Sequence, residues 1–342
     1  MQSRYQVEIE ELSELLSGEP AFRSRQVFEG LHQGLKIPSE MTNLPKALRG
    51  RIDELIPPAL TERVKLVGDK GATTKWAFAL HDGAVIETVL MEYRNRVTVC
   101  VSSQAGCAMN CSFCATGQAG FSRHLTTGEI VEQVMVAARE LAPRRLSNVV
   151  FMGMGEPLAN YSNLIPALRR LAGPIGISAR HLTVSTVGMV PSILKLADEK
   201  LPVSLAVSLH AANDLLRNEL VPINKRYPLE VLREACAEYF DKTHRRISFE
   251  WALIDSVNDR DQDIVELADY AFDLHAHVNL IPLNPTPGYL VKGSRTERVR
   301  DFAKGLEDRG VTVTVRNTRG REIDAACGQL AGSQAVMIRS ER

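Results

Sequence analysis

The chain contains the stretch Cys107-Ala108-Met109-Asn110-Cys111-Ser112-Phe113-Cys114, in which three of its six cysteines are spaced four and three residues apart. An apolar run at residues 97–101 leads into this stretch, so we expect a loop that begins where a buried strand ends. Three thiolates at this spacing can converge on one metal centre. Iron–sulfur clusters use cysteine thiolates, usually four, and a site with three leaves one iron open to another ligand.

Two other interpretations of these cysteines remain open at this point. Structural zinc also takes four ligands, with Cys and His preferred, and His124 could supply the fourth. The cysteines could also be three unrelated buried side chains, although the polar residues and glycines around them argue against this. The sequence therefore favours an iron–sulfur cluster, with zinc as the alternative.

Length and composition are those of an ordinary globular protein. The 342 residues, 44% hydrophobic and 24% charged, leave room for one large domain with an appendage. No apolar run is long enough to span a bilayer, the N-terminus has no signal-peptide pattern, and six cysteines do not make a secreted disulfide framework. We therefore expect a cytoplasmic protein. The net charge of zero argues mildly against nucleic-acid binding, but binding requires only a basic face.

The hydrophobic pattern divides the chain into three predicted regions. Residues 1–58 predict a helical accessory domain that binds RNA. It contains three apolar stripes, each predicting a helix. The first ends at Gly18, the second begins at Pro20, and the third begins at Thr42, which is expected to cap it. Pro57-Pro58 ends the region. Residues 59–96 alternate with a period of two around His81-Asp82-Gly83, which predicts a β-hairpin extension. Residues 97–342 predict the main α/β domain.

The main domain alternates predicted strands with predicted helices. The strands are expected at 97–102, 147–152, 181–186, 203–208, 247–254 and 277–282, with a seventh at 311–315. Helices lie between them, for example Thr127–Leu141 with Thr127 as its cap. Alternating βα units predict a parallel sheet, so the fold class is α/β.

Unusual residues follow the predicted strand ends, where active sites of βα barrels lie. In chain order they are Cys107, Cys111 and Cys114 after the first strand, Gly155 and Glu156 after the second, Ser185 at the end of the third, Ser208 and His210 at the end of the fourth, and Asn284 after the sixth. Each residue alone is a weak signal, since serine and asparagine are common in turns. Their shared position predicts one site.

Glu87 and two further cysteines also attract attention. Glu87 alternates in phase with Val85 and Val89, and two interpretations are open. In one its face looks at water; in the other the carboxylate lies against apolar neighbours and exchanges protons near neutral pH. Cys100 lies in an apolar strand, where a free cysteine is usually a small buried hydrophobe. Cys327 lies in a glycine-rich loop near three arginines, a setting that favours the thiolate and could also hold RNA phosphates; these are Arg316, Arg319 and Arg321.

The CxxxCxxC spacing resembles the signature of the radical S-adenosylmethionine (SAM) enzymes. Three further stretches resemble motifs of the RlmN/Cfr family, which methylates adenosine in RNA, and the resemblance runs from about residue 80 to residue 332. They are Gly153-Met154-Gly155-Glu156-Pro157, Ser208-Leu209-His210 and Asp324-Ala325-Ala326-Cys327-Gly328-Gln329-Leu330. The resemblance implies a partial (βα)6 radical SAM barrel with a C-terminal catalytic loop. It also implies one 4Fe-4S cluster on the three cysteines and SAM bound by Gly155, Glu156, Ser185, Ser208, Leu209, His210 and Asn284.

The resemblance also implies a mechanism that uses two SAM molecules per turnover. One methylates Cys327, and the other is cleaved at the cluster to a 5′-deoxyadenosyl radical that takes hydrogen from the S-methyl group. The methylene radical adds to the base, Glu87 handles the ring proton, and Cys100 attacks Cys327, releasing the product with a transient disulfide. The implied partners are 23S rRNA in its peptidyl-transferase region, tRNA at an adenosine next to the anticodon, and flavodoxin or ferredoxin as electron donor.

Three alternatives to carbon-2 methylation follow from the same sequence. Within the family, carbon 8 of the adenosine could be the target, although the Gly153–Pro157 motif and the N-terminal appendage favour carbon 2. A glycyl-radical activase would need no pair such as Cys100 and Cys327, and activases usually carry extra cluster motifs that this sequence lacks. A zinc-stabilised RNA-binding module without catalysis is the third alternative.

Overall fold

The N-terminal region forms three short helices. The computed structural model describes residues 3–284, 292–316, 319–325 and 328–330. The helices are α1 (Ile9–Leu15), α2 (Phe22–His32) and α3 (Lys46–Leu55). Each buries apolar side chains, for example Leu12, Val27 and Ile52. The three predicted helices are therefore present, and the third ends before Pro57 as expected.

The start of α3 differs from the prediction. Thr42 lies in a turn in which the Leu44 N–H donates to the Met41 carbonyl at 2.9 Å. The helix begins only after Pro45, whose backbone φ is −54°. Proline suits this place because its ring fixes a helical φ, and an N–H in the first turn would have no partner within the helix. The expectation that Thr42 caps the helix was wrong.

Four antiparallel strands connect these helices to the rest of the fold. They are β1 (Thr61–Gly68), β2 (Thr73–Ala79), β3 (Val85–Glu92) and β4 (Val97–Cys100), paired in chain order. The β2–β3 turn contains His81-Asp82-Gly83, with Gly83 at φ +83°, so the hairpin prediction is confirmed. A separate small hairpin of β5 (Gln104–Gly106) and β6 (Phe121–His124) brackets the cysteine loop and the short helix α4 (Ala115–Gln118).

From β4 onward the strands of the main sheet are parallel and alternate with helices. The remaining strands are β7 (Asn148–Phe151), β8 (Leu182–Thr186), β9 (Ser204–Ser208), β10 (Ser248–Leu253), β11 (His277–Pro282) and β12 (Thr312–Val315). The helices are α5 (Thr127–Leu141), α6 (Tyr161–Ala172), α7 (Val190–Asp198), α8 (Asp214–Leu220), α9 (Leu229–Thr243), α10 (Asp261–Phe272) and α11 (Thr296–Glu307). All six predicted parallel strands are present, and β12 is the seventh.

The sheet has the order β1-β2-β3-β4-β7-β8-β9-β10-β11-β12. Within the described ranges β4 and β12 do not pair with each other, so the parallel part is an open, partial barrel. This confirms the α/β fold class. Because β1 to β3 continue the same sheet, the predicted extension shares its hydrogen-bonding network with the barrel. Of the helices in the described ranges, none combines the length and apolarity needed to span a bilayer.

Helix α5 begins one residue earlier than its predicted cap implies. The Thr126 hydroxyl accepts a hydrogen bond from the Glu129 N–H at 3.2 Å, and the Glu129 carboxylate accepts one from the Thr126 N–H at 2.8 Å. This reciprocal pair is a capping box. The cap is therefore Thr126, and Thr127 is the first helical residue.

The segment that precedes α1 contacts α5 and α6 of the barrel. Arg170 on α6 donates to the Tyr5 carbonyl and to the Glu8 carboxylate. On α5, the Gly128 N–H donates to the Gln6 side chain at 2.8 Å. The buried apolar residues of both regions belong to one continuous core. The appendage is thus joined to the barrel by packing as well as by polar contacts.

A buried carboxyl group at this junction predicts a pH-dependent stability. Glu132 on α5 is 2% exposed and accepts a hydrogen bond from the Ala59 N–H at 2.8 Å, and burial raises its pKa to about 7. Between the pKa of the unfolded chain and pH 7, the folded protein keeps a proton on Glu132 that the unfolded chain has released. The stability of the folded state is therefore greatest below the unfolded pKa, and this part of it is lost as pH rises through 7. Glu132→Gln has no proton to lose at this position. As pH rises from 5 to 8, we therefore expect its free energy of unfolding to increase relative to that of wild type, by on the order of 3 kcal/mol. Unfolding midpoints that change in parallel with pH would contradict this.

Candidate active site

A cavity of about 150 Å³ lies at the carboxyl ends of the barrel strands. The residues around it include all of those that the sequence placed at strand ends: Cys107, Cys111, Cys114, Gly155, Glu156, Ser185, Ser208, His210 and Asn284. Gly328, next to Cys327 in the chain, also lines it. The structure thus brings thiols, a carboxyl group, hydroxyls and an imidazole into one enclosure.

The three cysteines occupy a loop that the β5–β6 hairpin holds in place. The Cys107 N–H donates to the Gly120 carbonyl at 2.8 Å, and the Ala115 N–H, next to Cys114, donates to the Gly328 carbonyl at 2.9 Å. Burial raises the pKa of Cys107 to about 12 and raises that of Cys111 well above its usual value. Without a positive partner these groups are neutral thiols. A bound metal centre converts such thiols to thiolates.

The zinc interpretation requires the three cysteines and His124 to meet at one ion. Zinc needs ligand atoms within about 2.3 Å of one point. In the described ranges, no three His, Cys, Asp or Glu side chains meet closely enough to hold one ion. His124, the proposed fourth zinc ligand, bonds the Gln104 amide through Nδ1 at 3.0 Å and is exposed.

Gly106 fixes the entry to this loop and provides a sharp test. Its φ is +77°, and a Cβ there would lie 2.0 Å from the Gly120 carbonyl oxygen. Gly120 also has a positive φ, +83°, but a Cβ there would meet nothing within 4 Å. We expect Gly120→Ala to cost about 1–2 kcal/mol, the usual penalty of a left-handed alanine. Gly106→Ala should cost more and lower the iron content, because the hairpin must open. Equal unfolding midpoints and iron contents for the two variants would contradict this.

The polar wall of the cavity is built around Glu156. This carboxylate accepts hydrogen bonds from the Val187 N–H at 2.9 Å and the Leu158 N–H at 3.1 Å, and burial raises its pKa to about 7. Gly155 beside it has φ +100°, and a Cβ there would lie 2.5 Å from the Gln104 side chain. Close approach of the backbone at this point therefore requires glycine.

His210 is a neutral hydrogen-bond donor. Burial, followed by the nearby Arg217 charge, lowers its pKa to about 3. Its Nδ1 accepts a hydrogen bond from the Ala252 N–H at 2.9 Å, so the ring proton is on Nε2. The ring also meets Phe113 edge-on at 4.5 Å between centroids. A neutral imidazole with a fixed tautomer can donate to a ligand without adding charge.

Leu209 differs from its neighbours in the predicted SAM site. Its side chain is fully buried in the main core. Its N–H donates to the Glu250 carbonyl at 3.0 Å, and its carbonyl accepts from Arg217 Nε at 3.1 Å. The hydrogen bonds of its backbone are thus made within the protein. A supporting role for Leu209 fits this better than direct contact with a ligand.

Arg217 was missed by the sequence reasoning. It is fully buried on α8, and its guanidinium also donates to the carbonyls of Val187 at 2.8 Å and Ser208 at 3.3 Å. It therefore joins the ends of β8 and β9 beneath the cavity. One arginine within the polar helix Asp214–Leu220 gives no local signal of such a role.

A second cavity of about 420 Å³ adjoins the first inside the barrel. Met152, Ile281 and Asn284 line both cavities. Cys100 lines only the second, and it is 7% exposed. Cys100 therefore faces the barrel interior, beside the cavity that continues from the cysteine loop.

The strand register places Glu87 on the same face as Cys100. Val89 on β3 pairs with Cys100 on β4, and partners in an antiparallel pair project to one face. Glu87 is two residues from Val89 on the same strand, so it projects to that face as well. Glu87 is 1% exposed, so of the two interpretations the one in which its face looks at water is wrong. Its Oε1 lies 3.3 Å from Lys75 Nζ. Sequence reasoning missed Lys75, since its place in a β-period looked like an ordinary solvated lysine.

Described residues on both sides of Cys327 in the chain line the two cavities. Cys327 itself lies outside the described residues, whereas Ala325 and Leu330 line the second cavity and Gly328 the first. Arg316, expected to hold phosphate, donates instead from Nη2 to the buried Glu250 carboxylate at 3.0 Å. Its charge is thus balanced within the protein, which weakens the phosphate hypothesis for this residue.

Comparison with known proteins gives the class of this fold and site. The model of the Radical SAM superfamily matches residues 101–268. A solved radical SAM methyltransferase from Sphaerobacter thermophilus superposes with a TM-score of 0.94 at 48% identity, covering 97% of this chain and 100% of that one. The open barrel with three cysteines at its strand ends defines a radical SAM enzyme, a class whose members use a 4Fe-4S cluster and SAM.

Curated relatives narrow the class to one family. A protein from Salinispora tropica is 52% identical over 93% of this chain and 89% of its own length, and one from Frankia casuarinae is 55% identical over 93% and 79%. Both are named "Probable dual-specificity RNA methyltransferase RlmN". The chain belongs to the RlmN family of radical SAM RNA methyltransferases. This membership argues against the two alternatives from other classes, the glycyl-radical activase and the non-catalytic zinc module.

Proposed function

We propose that this enzyme methylates carbon 2 of an adenosine in 23S rRNA and of an adenosine next to the anticodon of tRNA. The names of the relatives, which specify RNA and a dual specificity, support both substrates. The observation that carries the proposal is the pair of adjoining cavities. One cavity is lined by the three cysteines and the predicted SAM residues, and the other by Cys100. The residues for radical generation and for base chemistry are thus neighbours.

In this proposal the first cavity holds the cofactor and SAM. Cys107, Cys111 and Cys114 would hold the 4Fe-4S cluster, which when bound supplies the electron that cleaves SAM, delivered by flavodoxin or ferredoxin. Glu156 would pair with the amino group of SAM, and His210 would donate through Nε2. The hydroxyls and amide of Ser185, Ser208 and Asn284 would bind its remaining polar groups. These roles suit a zwitterion, because the cavity offers both acceptors and donors.

The second cavity would receive the adenine, with methyl transfer in two stages. Cys327 would first accept a methyl group from one SAM. The 5′-deoxyadenosyl radical from a second SAM would remove one hydrogen from this methyl group, and the resulting methylene carbon would bond to carbon 2. Glu87 would accept the ring proton. The Cys100 thiolate would then attack the Cys327 sulfur, forming a disulfide and breaking the sulfur–carbon bond, and the released carbon would take up a proton to become the methyl group. Two SAM molecules are consumed per methyl group delivered. The base must leave its stack to enter, as in other enzymes that modify bases.

An aromatic ring between two guanidinium groups lies at the second cavity. Tyr93 has Arg96 over its ring at 4.5 Å and Arg319 at 5.2 Å, and all three residues line the cavity. Cation–π contacts hold guanidinium groups in place. The guanidinium groups of Arg96 and Arg319 lie where the phosphates on either side of an inserted base would pass. Contacts to phosphates position RNA on a protein, so these two arginines are candidates for that role.

RNA affinity should therefore fall with salt despite the neutral net charge. Each phosphate contact to single-stranded RNA contributes a slope of roughly 0.7 in log K against log salt. We expect Arg96→Ala and Arg319→Ala each to make the slope shallower by about that amount. Arg233, which pairs with Asp273 on the outer helices, provides the control, and Arg233→Ala should leave the slope unchanged. Unchanged slopes in the two test variants would remove these arginines as phosphate ligands.

Mass spectrometry of RNA tests the target atom and the substrates. Ribosomal and transfer RNA from a deletion strain should lack 2-methyladenosine, and the purified enzyme should restore it under anaerobic conditions with SAM and reductant. Loss of 8-methyladenosine instead would show the carbon-8 activity. An unchanged methylation pattern in tRNA would restrict the enzyme to rRNA.

A further inference from the structure

Lys75 is a buried charged residue for which the proposed function has no role. It lies on β2 and is 4% exposed. A buried ammonium group requires partners that replace water. Lys75 Nζ lies 3.3 Å from Glu87 Oε1 and donates to the Asp324 carbonyl at 3.0 Å. The lysine thus connects the buried carboxylate to the loop that carries Cys327, three residues beyond Asp324.

The strand register makes this connection possible. Lys75 pairs with Val89 and Ala77 pairs with Glu87, so Lys75 and Glu87 are diagonal neighbours on one face of the β2–β3 hairpin. Cys100, opposite Val89, continues this face. An ammonium group has three donors, so one lysine can bond both a carboxylate and a carbonyl.

The same loop has a second anchor, which makes no hydrogen bond to Glu87 in the described ranges. Asp69, in the β1–β2 turn, accepts a hydrogen bond through Oδ2 from the Gly320 N–H at 2.9 Å. Its own N–H donates to Glu322 Oε1 at 2.6 Å. Asp69 thus hydrogen-bonds to the loop but not to Glu87 in the described ranges, whereas Lys75 hydrogen-bonds to both. Variants of the two residues therefore distinguish an effect on the loop from an effect on Glu87.

We propose that Lys75 is a positioning residue that keeps Glu87 ionised and aligned with the loop of Cys327 for proton removal from the adenine. This inference rests on the proposed function, in which Glu87 accepts the ring proton. The positive charge favours the carboxylate over the carboxylic acid, and only the carboxylate can accept a proton. In that step the proton of the adduct passes to a Glu87 oxygen and the electron pair of the carbon–hydrogen bond stays in the ring. The unpaired electron left by the radical addition would pass to a one-electron acceptor, for which the oxidised iron–sulfur cluster is suited.

The test uses the cluster-loaded enzyme and an RNA substrate with deuterium at carbon 2 of the target adenosine. Lys75→Met keeps the length of the side chain and removes its charge. We expect RNA methylation to fall by about 10²-fold, as is usual when general-base catalysis is impaired. Methylation of Cys327 and cleavage of SAM should persist, measured by protein mass spectrometry and by release of 5′-deoxyadenosine. The deuterated RNA should react more slowly than normal RNA, and the ratio of the two rates should exceed that of wild type.

Matched variants make the outcomes distinct. Asp69→Asn should lower the methylation of Cys327, because it weakens an anchor of the loop, without raising the ratio of the rates with normal and deuterated RNA. Lys75→Gln tests the charge with a polar side chain, should Lys75→Met fail to fold, and should also raise the ratio. Wild-type RNA turnover in either Lys75 variant would overturn the inference, as would equal losses at every step with the wild-type isotope ratio. Failure of the proposed function is a different result, since wild type would then leave carbon 2 unmodified, or Glu87→Gln would be fully active.

Discussion

The Cys100→Ala variant should accumulate covalently joined to RNA, whereas Cys327→Ala should never form such a bond. Cys327→Ala has no sulfur to accept the first methyl group, so the sequence of steps cannot start. Cys100→Ala keeps that sulfur and should proceed until carbon 2 is bonded to it. It then lacks the thiolate that attacks the bridging sulfur. Both variants should lose product formation, but at opposite ends of the reaction.

The position of Cys100 in the structure supports this difference. The residue is buried, lines the second cavity and shares a sheet face with Glu87. If Cys100 were only packing in the strand, alanine would leave turnover near normal and reduce stability modestly. The product-releasing role and the packing role thus predict opposite turnover from the same substitution.

A denaturing gel distinguishes the outcomes. Cys100→Ala should give a protein band of reduced mobility that nuclease treatment removes, and mass spectrometry should find one nucleotide attached to the peptide that contains Cys327. Cys236→Ala is a suitable control, because that cysteine is fully buried in α9 and should not affect turnover. Turnover by Cys100→Ala without a trapped adduct would end the two-cysteine mechanism.

The second large effect is expected from Cys111→Ala, which should lose the cluster and SAM cleavage while retaining the fold. Cys111 is 7% exposed and packs with Phe113, Ala211 and Leu220 in a small apolar group separate from the main core. Removing one of three thiolates leaves too few protein ligands for the cluster. The barrel core does not depend on this side chain, so the secondary structure should be preserved.

Iron content, visible absorption and circular dichroism after anaerobic reconstitution measure this result. The Cys236→Ala control removes a thiol of comparable burial and should retain iron. A Cys111→Ala protein that keeps its iron and methylates RNA would exclude the cluster assignment. Loss of circular dichroism would instead show that the loop contributes to the fold.

The sequence by itself determined the order of the helices and strands and the places where unusual residues follow strands. These features are local, because periodicity, turn residues and cysteine spacing depend on neighbours along the chain. The βα alternation was sufficient to place Cys107, Glu156, Ser185 and His210 at one end of a parallel sheet. The predicted caps Thr42 and Thr127 were wrong, because the adjacent Thr126 caps α5 and because α3 begins only after Pro45.

Only the tertiary structure decided which distant side chains meet and in what state. Lys75 and Asp324 are 249 positions apart, and Arg316 and Glu250 are 66 apart, yet each pair is hydrogen-bonded. These contacts depend on how strands and loops far apart in the chain are placed against each other, which no periodicity within one strand encodes. The neutral form of His210 likewise follows from burial beside Arg217. The chain thus specifies its chemistry through residue types, whereas the fold sets charge states and distances, because both depend on neighbours from elsewhere in the chain.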